Sequence, residues 1–216
     1  MMQNSISLCI TCNKQLRDEI TESMFSNLLI LLSAFLLLAV IIVILNSVAL
    51  KHYNFMMENY PRTANLNPVP LFTASIVLGM GIGGFIDGIV MHQILQWHGM
   101  LSNIIPPDTV NSKSLNMFWD GIFHVFTLTM VIIGILLLKN LIRRNISGSS
   151  RVLTGGILAG WGIFNLVEGT INHHILKIHN VREVQDPDPW NFGFLVISAF
   201  MVIIGLLIAR DRQAKT

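Results

Sequence analysis

Three carboxylates and six histidines stand where they could do chemistry. Asp87, His92 and His98 lie in "DGIVMHQILQWH" (87–98), Asp120 and His124 in "WDGIFH" (119–124), and Glu168, His173, His174 and His179 in "EGTINHHILKIH" (168–179). Imidazoles mixed with carboxylates suit zinc, copper or non-haem iron, whereas a soft copper(I) site more often recruits Met or Cys. A carboxylate beside a His can also fix the tautomer of a ligating ring. A haem held by two of His92, His124 and His173 is a less favoured form of the same idea. The reading without a cofactor is a proton relay, or hydrogen bonds and ion pairs that hold helices together. Any one of these residues alone fits that last reading; their number in one layer favours a transition-metal site.

The elements that must position them are membrane helices. The 216 residues are 52% hydrophobic and only 12% charged, about half the charge of an ordinary soluble domain. A net charge of +2 gives no global basic field for nucleic acid. The glycine cluster "GMGIGG" (79–84) lies inside an apolar run and lacks the following helix and acidic residue of a dinucleotide site. Apolar runs long enough to span a bilayer occupy 27–50, 71–95, 115–138, 152–176 and 190–209. The first is too long for a signal-peptide core and is expected to stay as an anchor. Cys9 and Cys12 form a single C-x-x-C pair, too few ligands for a structural zinc site, and are read as ordinary terminal sequence, with a redox couple or disulfide as alternatives.

Charge bias sets the expected orientation. The loop after the third run carries Lys139, Arg143, Arg144 and Arg151 with no acid, and the C-terminus carries Arg210, Arg212 and Lys215 against Asp211. Both should be cytoplasmic in a bacterial inner membrane. Alternation then puts the N-terminus outside, and the acid and His groups of all three segments fall in one layer toward the extracytoplasmic face.

The first and last of the three segments echo each other. Aligned without gaps, Asp87 meets Glu168, Gly88 meets Gly169, His92 meets His173, Ile94 meets Ile175, Leu95 meets Leu176 and His98 meets His179. A second echo pairs Trp119 with Trp190 and "MVIIG" at 130–134 with 201–205. The expected fold is therefore an all-α membrane protein with five transmembrane helices, an N-terminal anchor plus a four-helix bundle of two parallel two-helix repeats. Residues 1–26 form an N-terminal extracytoplasmic segment, 27–50 the extra helix, 71–140 the first repeat and 152–211 the second. The echo fails at Asp120, which meets Asn191, and at His124, which meets Leu195.

Straight α-helices give the angles. Asp120 and His124 share a face, about 40° apart, whereas His92 lies about 140° round from Asp87. Asp87 and His98 share a face but stand about 16 Å apart along the axis. One straight helix cannot aim Asp87, His92 and His98 at one ion. The expectation is His92 facing His124 and His173, with Asp87, Asp120 and Glu168 as ligands or supports. His98 and His179 would sit at the water interface, and His174 would point about 100° away from His173. Met91, Met100 and Met117 are read as fillers rather than thioether ligands. Gly79/Gly83 and Gly156/Gly160 are spaced G-x-x-x-G for close helix packing.

"GGFIDGIVMHQILQWHGMLS", "WDGIFH", "GWGIFNLVEGTINHHILKIHNVRE" and "DPDPWNFGFL" together resemble a bacterial family of multi-pass membrane proteins of unknown function, over about residues 71 to 209. The resemblance implies a four-helix membrane unit with no established activity. It also implies a link to copper-dependent terminal oxidases and their assembly factors. The first span and the C-x-x-C region fall outside it.

Three functions follow as expectations. The protein holds or passes a transition metal, plausibly copper, for a respiratory oxidase; or it is a membrane-embedded metalloenzyme, hydrolytic or oxidative; or it is a structural or assembly subunit in the lipid bilayer whose polar layer only associates helices. No H-E-x-x-H or desaturase-type histidine box supports the second. A transporter is disfavoured, because the acids do not line both halves of a path.

Overall fold

The structure, a computed structural model, describes residues 13–60, 68–144 and 148–210; Cys9 and Cys12 lie outside them. Five helices carry the fold: α1 (Lys14–Asn59), α2 (Val69–Asp87), α3 (Val110–Arg143), α4 (Ser150–Glu168) and α5 (Asp188–Ala209). Two of them are prolonged by seven-residue π-helical segments, Gly88–Ile94 after α2 and Gly169–Ile175 after α4. All five are long and apolar enough to cross a membrane. The protein is an all-α, multi-pass membrane protein.

Local sequence sets the helix ends. Asn13 caps α1 through its side chain, Thr109 and Ser112 form a capping box at α3, and Ser149 caps α4. Pro70 and Pro189 sit in the first turns of α2 and α5, where a missing N–H costs nothing. Helix α1 starts at Lys14, well before the 27–50 run, and at 46 residues it is about 69 Å long, more than twice the hydrocarbon core. Its first turns bury Leu16 and Ile20, and Glu19 accepts a bond from Asn111 at 3.4 Å. The start of α1 thus covers the end of the bundle from which α3 departs.

The buried pair is α2 and α4, with α3 on α2 and α5 on α4. Glycines let the central pair touch backbone to backbone. A Cβ on Gly79 would lie 2.1 Å from the Ile157 carbonyl oxygen, and one on Gly160 would lie 2.1 Å from that of Ile76. Gly81 and Gly134 do the same between α2 and α3, as Gly162 and Gly205 do between α4 and α5. Without a hydrophobic drive between helices in lipid, such close packing carries the association. The outer helices turn apolar side chains to the lipid: Val125, Ile132 and Leu136 on α3, and Phe192, Phe200 and Leu207 on α5 are exposed. Phe35 of α1 stacks on Phe126 of α3 with centroids 4.2 Å apart.

Candidate metal centre

The π-helical segments decide the site. In an α-helix residues four apart share a face; i→i+5 bonding widens the turn so that residues five apart do. Leu95 donates to the Val90 carbonyl at 2.8 Å and Leu176 to that of Ile171 at 2.7 Å. Asp87 and His92, five apart, therefore meet, with Oδ2 and Nε2 at 3.4 Å, and Glu168 Oε1 meets His173 Nε2 at 3.3 Å. The expectation of 140° between Asp87 and His92 is corrected by this switch of helix type.

The chain then reverses. Gln96 and Lys177 both have φ of 50°, the left-handed region that L-residues seldom enter. The turn folds residues 97–102 and 178–183 back over the helix ends. His98 and His179, expected at the water interface, are instead buried, with rings stacked 4.8 Å apart. His92 and His98 are 4.3 Å apart, and His173 and His179 4.8 Å.

Hydrogen-bond partners fix the tautomers. His98 Nδ1 donates to the Val181 carbonyl at 2.8 Å, and His179 Nδ1 to the Met100 carbonyl at 3.1 Å. His92 Nδ1 donates to Asp120 Oδ1 at 2.8 Å, and the same oxygen accepts from Met100 N at 2.9 Å. Each ring so anchored turns its Nε2 into the cluster. His98 Nε2 is buried without a partner, and burial followed by the imidazoles of His92 and His179 holds His98 well below the usual imidazole range, in its neutral form. Its lone pair is free. His179 Nε2 stands 2.9 Å from Glu168 Oε1, a contact between two acceptors that requires a proton or a metal ion. Both ring nitrogens of His173 are buried and unbonded; the 3.3 Å approach to Glu168 is an ion-pair distance without hydrogen-bond alignment.

Two donor sets emerge, His92/His98/His179 and Glu168/His173/His179, each offering three ligand atoms within 4.8 Å of one another. These buried groups could hold a metal ion. A cavity of about 730 Å³, walled in part by Gln93, Asn103 and Lys113, reaches His92, His98 and Asp120.

Residues 74–212 match the family model described as "Predicted membrane protein (DUF2243)". The chain belongs to this family. No curated protein and no solved structure matches it. The family match covers most of α2 and all of α3 to α5, with all the donors among them, and leaves α1 outside.

Within this DUF2243 chain the predicted site residues divide. The structure brings together Asp87, His92, His98, Glu168, His173 and His179, with Asp120 behind His92. It leaves out His124, which was expected to face His92: its Nδ1 donates to the Asp120 carbonyl at 2.7 Å, one turn back on its own helix, and its ring packs against Gly88 and Phe85. His174 is exposed, as its angle implies. Sequence reasoning missed the carbonyls of Met100 and Val181 that orient the rings. It also missed Asn172, which donates to Glu168 at 3.2 Å, and Asn191, which accepts from Val181 N at 2.9 Å. The alignment offered a signal for the carbonyls, since Met100 and Val181 stand two residues after the paired His98 and His179.

Proposed function

We propose that the protein is an intramembrane metal-binding protein that holds a transition metal on its buried imidazole layer at the extracytoplasmic end of the bundle. The observation that carries the reading is the shared orientation of His92, His98 and His179. Each Nδ1 is spent on a carbonyl or carboxylate, and each Nε2 faces inward with no protein donor to meet it. Ligating histidines are held in this way by outer partners, and the His92–Asp120 pair repeats the carboxylate–histidine–metal arrangement. The carboxylates point the same way. Asp87, Asp120 and Glu168 are buried, and each has a histidine as ion-pair partner. Buried carboxylates call for cations, which protonated imidazoles or a metal ion supply.

Imidazole and carboxylate donors suit zinc, iron or copper(II). Copper held for a respiratory oxidase is the finer form of the reading, and the cationic 139–151 loop supports placing the layer on the outer side of a bacterial inner membrane. The two aligned segments support a bundle built from two copies of one unit. The test is elemental analysis of the detergent-purified chain together with an absorption spectrum, which separates copper, iron, zinc and haem. Stoichiometric metal that is lost from a His92→Ala, His98→Ala double variant is expected. A metal-free chain that takes up no copper, zinc or iron on reconstitution overturns the reading.

The cavity beside His92 and His98 favours one second reading, a metalloenzyme that admits a small polar substrate to a metal-bound water. Turnover that fails in Glu168→Gln with metal retained would distinguish it.

A further inference from the structure

We infer that the layer holds two neighbouring metal ions, one on Asp87, His92 and His98 and the other on Glu168, His173 and His179. The inference rests on the metal reading above and adds its stoichiometry and ligand assignment.

The two donor sets overlap at His179, and that overlap decides the assignment. An imidazole serves two ions only through both ring nitrogens, and His179 Nδ1 is held on the Met100 carbonyl. His179 therefore serves one ion. A single ion on His92, His98 and His179 would leave His173 with two unbonded buried nitrogens and Glu168 with one fewer cationic neighbour. Giving His179 to Glu168, which it already meets at 2.9 Å, completes a second set, and leaves His92 and His98 with Asp87, 3.4 Å from His92 Nε2, as the carboxylate beside the first.

One acid–imidazole contact in each set suits this division. Metal–nitrogen and metal–oxygen bonds of about 2.0–2.1 Å in tetrahedral geometry put two donors about 3.3–3.4 Å apart. The Asp87–His92 and Glu168–His173 contacts are 3.4 and 3.3 Å. Two divalent ions bring four positive charges against the three carboxylates Asp87, Asp120 and Glu168, and a bound hydroxide takes up the fourth. The ligand pattern is the same in both sets, an acid followed by His five and eleven residues later. The sets also brace each other. His98 of the first donates to Val181, and His179 of the second donates to Met100, so ring orientation in each depends on the other's backbone.

The test is a titration of the chelator-stripped full-length protein in detergent with copper(II), followed by free-metal measurement and electron paramagnetic resonance. Two tightly bound equivalents are expected. The second should convert an isolated copper(II) spectrum into that of a coupled pair with a half-field transition. Glu168→Gln and His173→Ala should each reduce binding to one uncoupled equivalent. One equivalent in the unaltered protein, or two without coupling, or a coupled pair that survives His173→Ala, overturns the inference. The first of these leaves the single-metal reading standing, whereas no binding at all removes both. The unaltered protein decides the question by itself if a variant fails to fold.

Discussion

The two halves of the bundle, α2 with α3 and α4 with α5, share a backbone design and differ in one carboxylate. Each buries a glycine against the other's isoleucine carbonyl, ends its inner helix in seven π-helical residues, and reverses through a left-handed residue, Gln96 or Lys177. Asp120 and Asn191 then do the same structural task, accepting from Met100 N and from Val181 N, each at 2.9 Å. Only Asp120 also holds a ring, His92. Asn191 spends its amide on Asn180 at 2.9 Å, and His173 keeps an unbonded Nδ1. The backbone framework is thus common to both halves, while the electrostatic support of the ligands belongs to the first.

The comparison can be broken at its framework. Gly79→Ala and Gly160→Ala each place a methyl group 2.1 Å from a backbone oxygen that cannot rotate away. Each should cost about 3 kcal/mol, the upper end of overpacking, and the two costs should match. Thermal unfolding in detergent measures both; a tolerated Gly160→Ala beside a damaging Gly79→Ala would show that the crossing is not shared equally. The next largest effect is on the support. Asp120→Asn keeps the bond from Met100 N but removes the carboxylate behind His92, and should weaken metal binding about 10–100-fold. The reverse change, Asn191→Asp, should leave metal affinity unchanged, because Asn191 faces Asn180 and Val181 rather than His173.

Much of this was legible in the sequence, and the part that was not has a specific cause. The bilayer forces long apolar runs, so the spans could be read from length alone, and charge bias with alternation put Asp87, Asp120 and Glu168 in one layer. The angles on that layer could not be read. They assumed α-helix to the end of each span, whereas the segments after Asp87 and Glu168 bond i→i+5. Neither segment carries a proline or another residue that announces the change. Gln96 and Lys177 likewise give no sign of left-handed backbone, a conformation usually flagged by Gly or Asn. Both features act on His98 and His179, which is why these two rings moved from the expected rim to the centre.

His124 tests the same point from the opposite side. Its spacing from Asp120 suggested a ligand, but its ring is tied to its own helix and half-buried. His124→Gln should lose about 1 kcal/mol of stability, the worth of one hydrogen bond, and retain the full metal content by elemental analysis. A loss of metal would return His124 to the site.

The smallest predicted effect concerns how the halves are held together above the ligands. Arg182 lies between Trp97 of the first half and Trp190 of the second, 5.1 and 4.9 Å from the ring centres, and the two rings meet edge to face at 5.4 Å. Its counterpart under the alignment is Leu101, fully buried, so this clamp exists once. At a partly exposed site each cation–π contact contributes about 0.5–1 kcal/mol. Arg182→Ala keeps the Trp97–Trp190 contact and should cost about 1 kcal/mol in detergent unfolding. It touches no donor, so metal affinity should hold while metal exchange quickens, because residues 97 and 98 lose an anchor beside the cavity that reaches His98. Arg182→Lys, which keeps the charge without the planar group that stacks between two rings, should recover only part of the exchange rate. An affinity change equal to that of Asp120→Asn would mean that the clamp sets ligand geometry, and the division between shared framework and one-sided support would then extend to the surface of the protein.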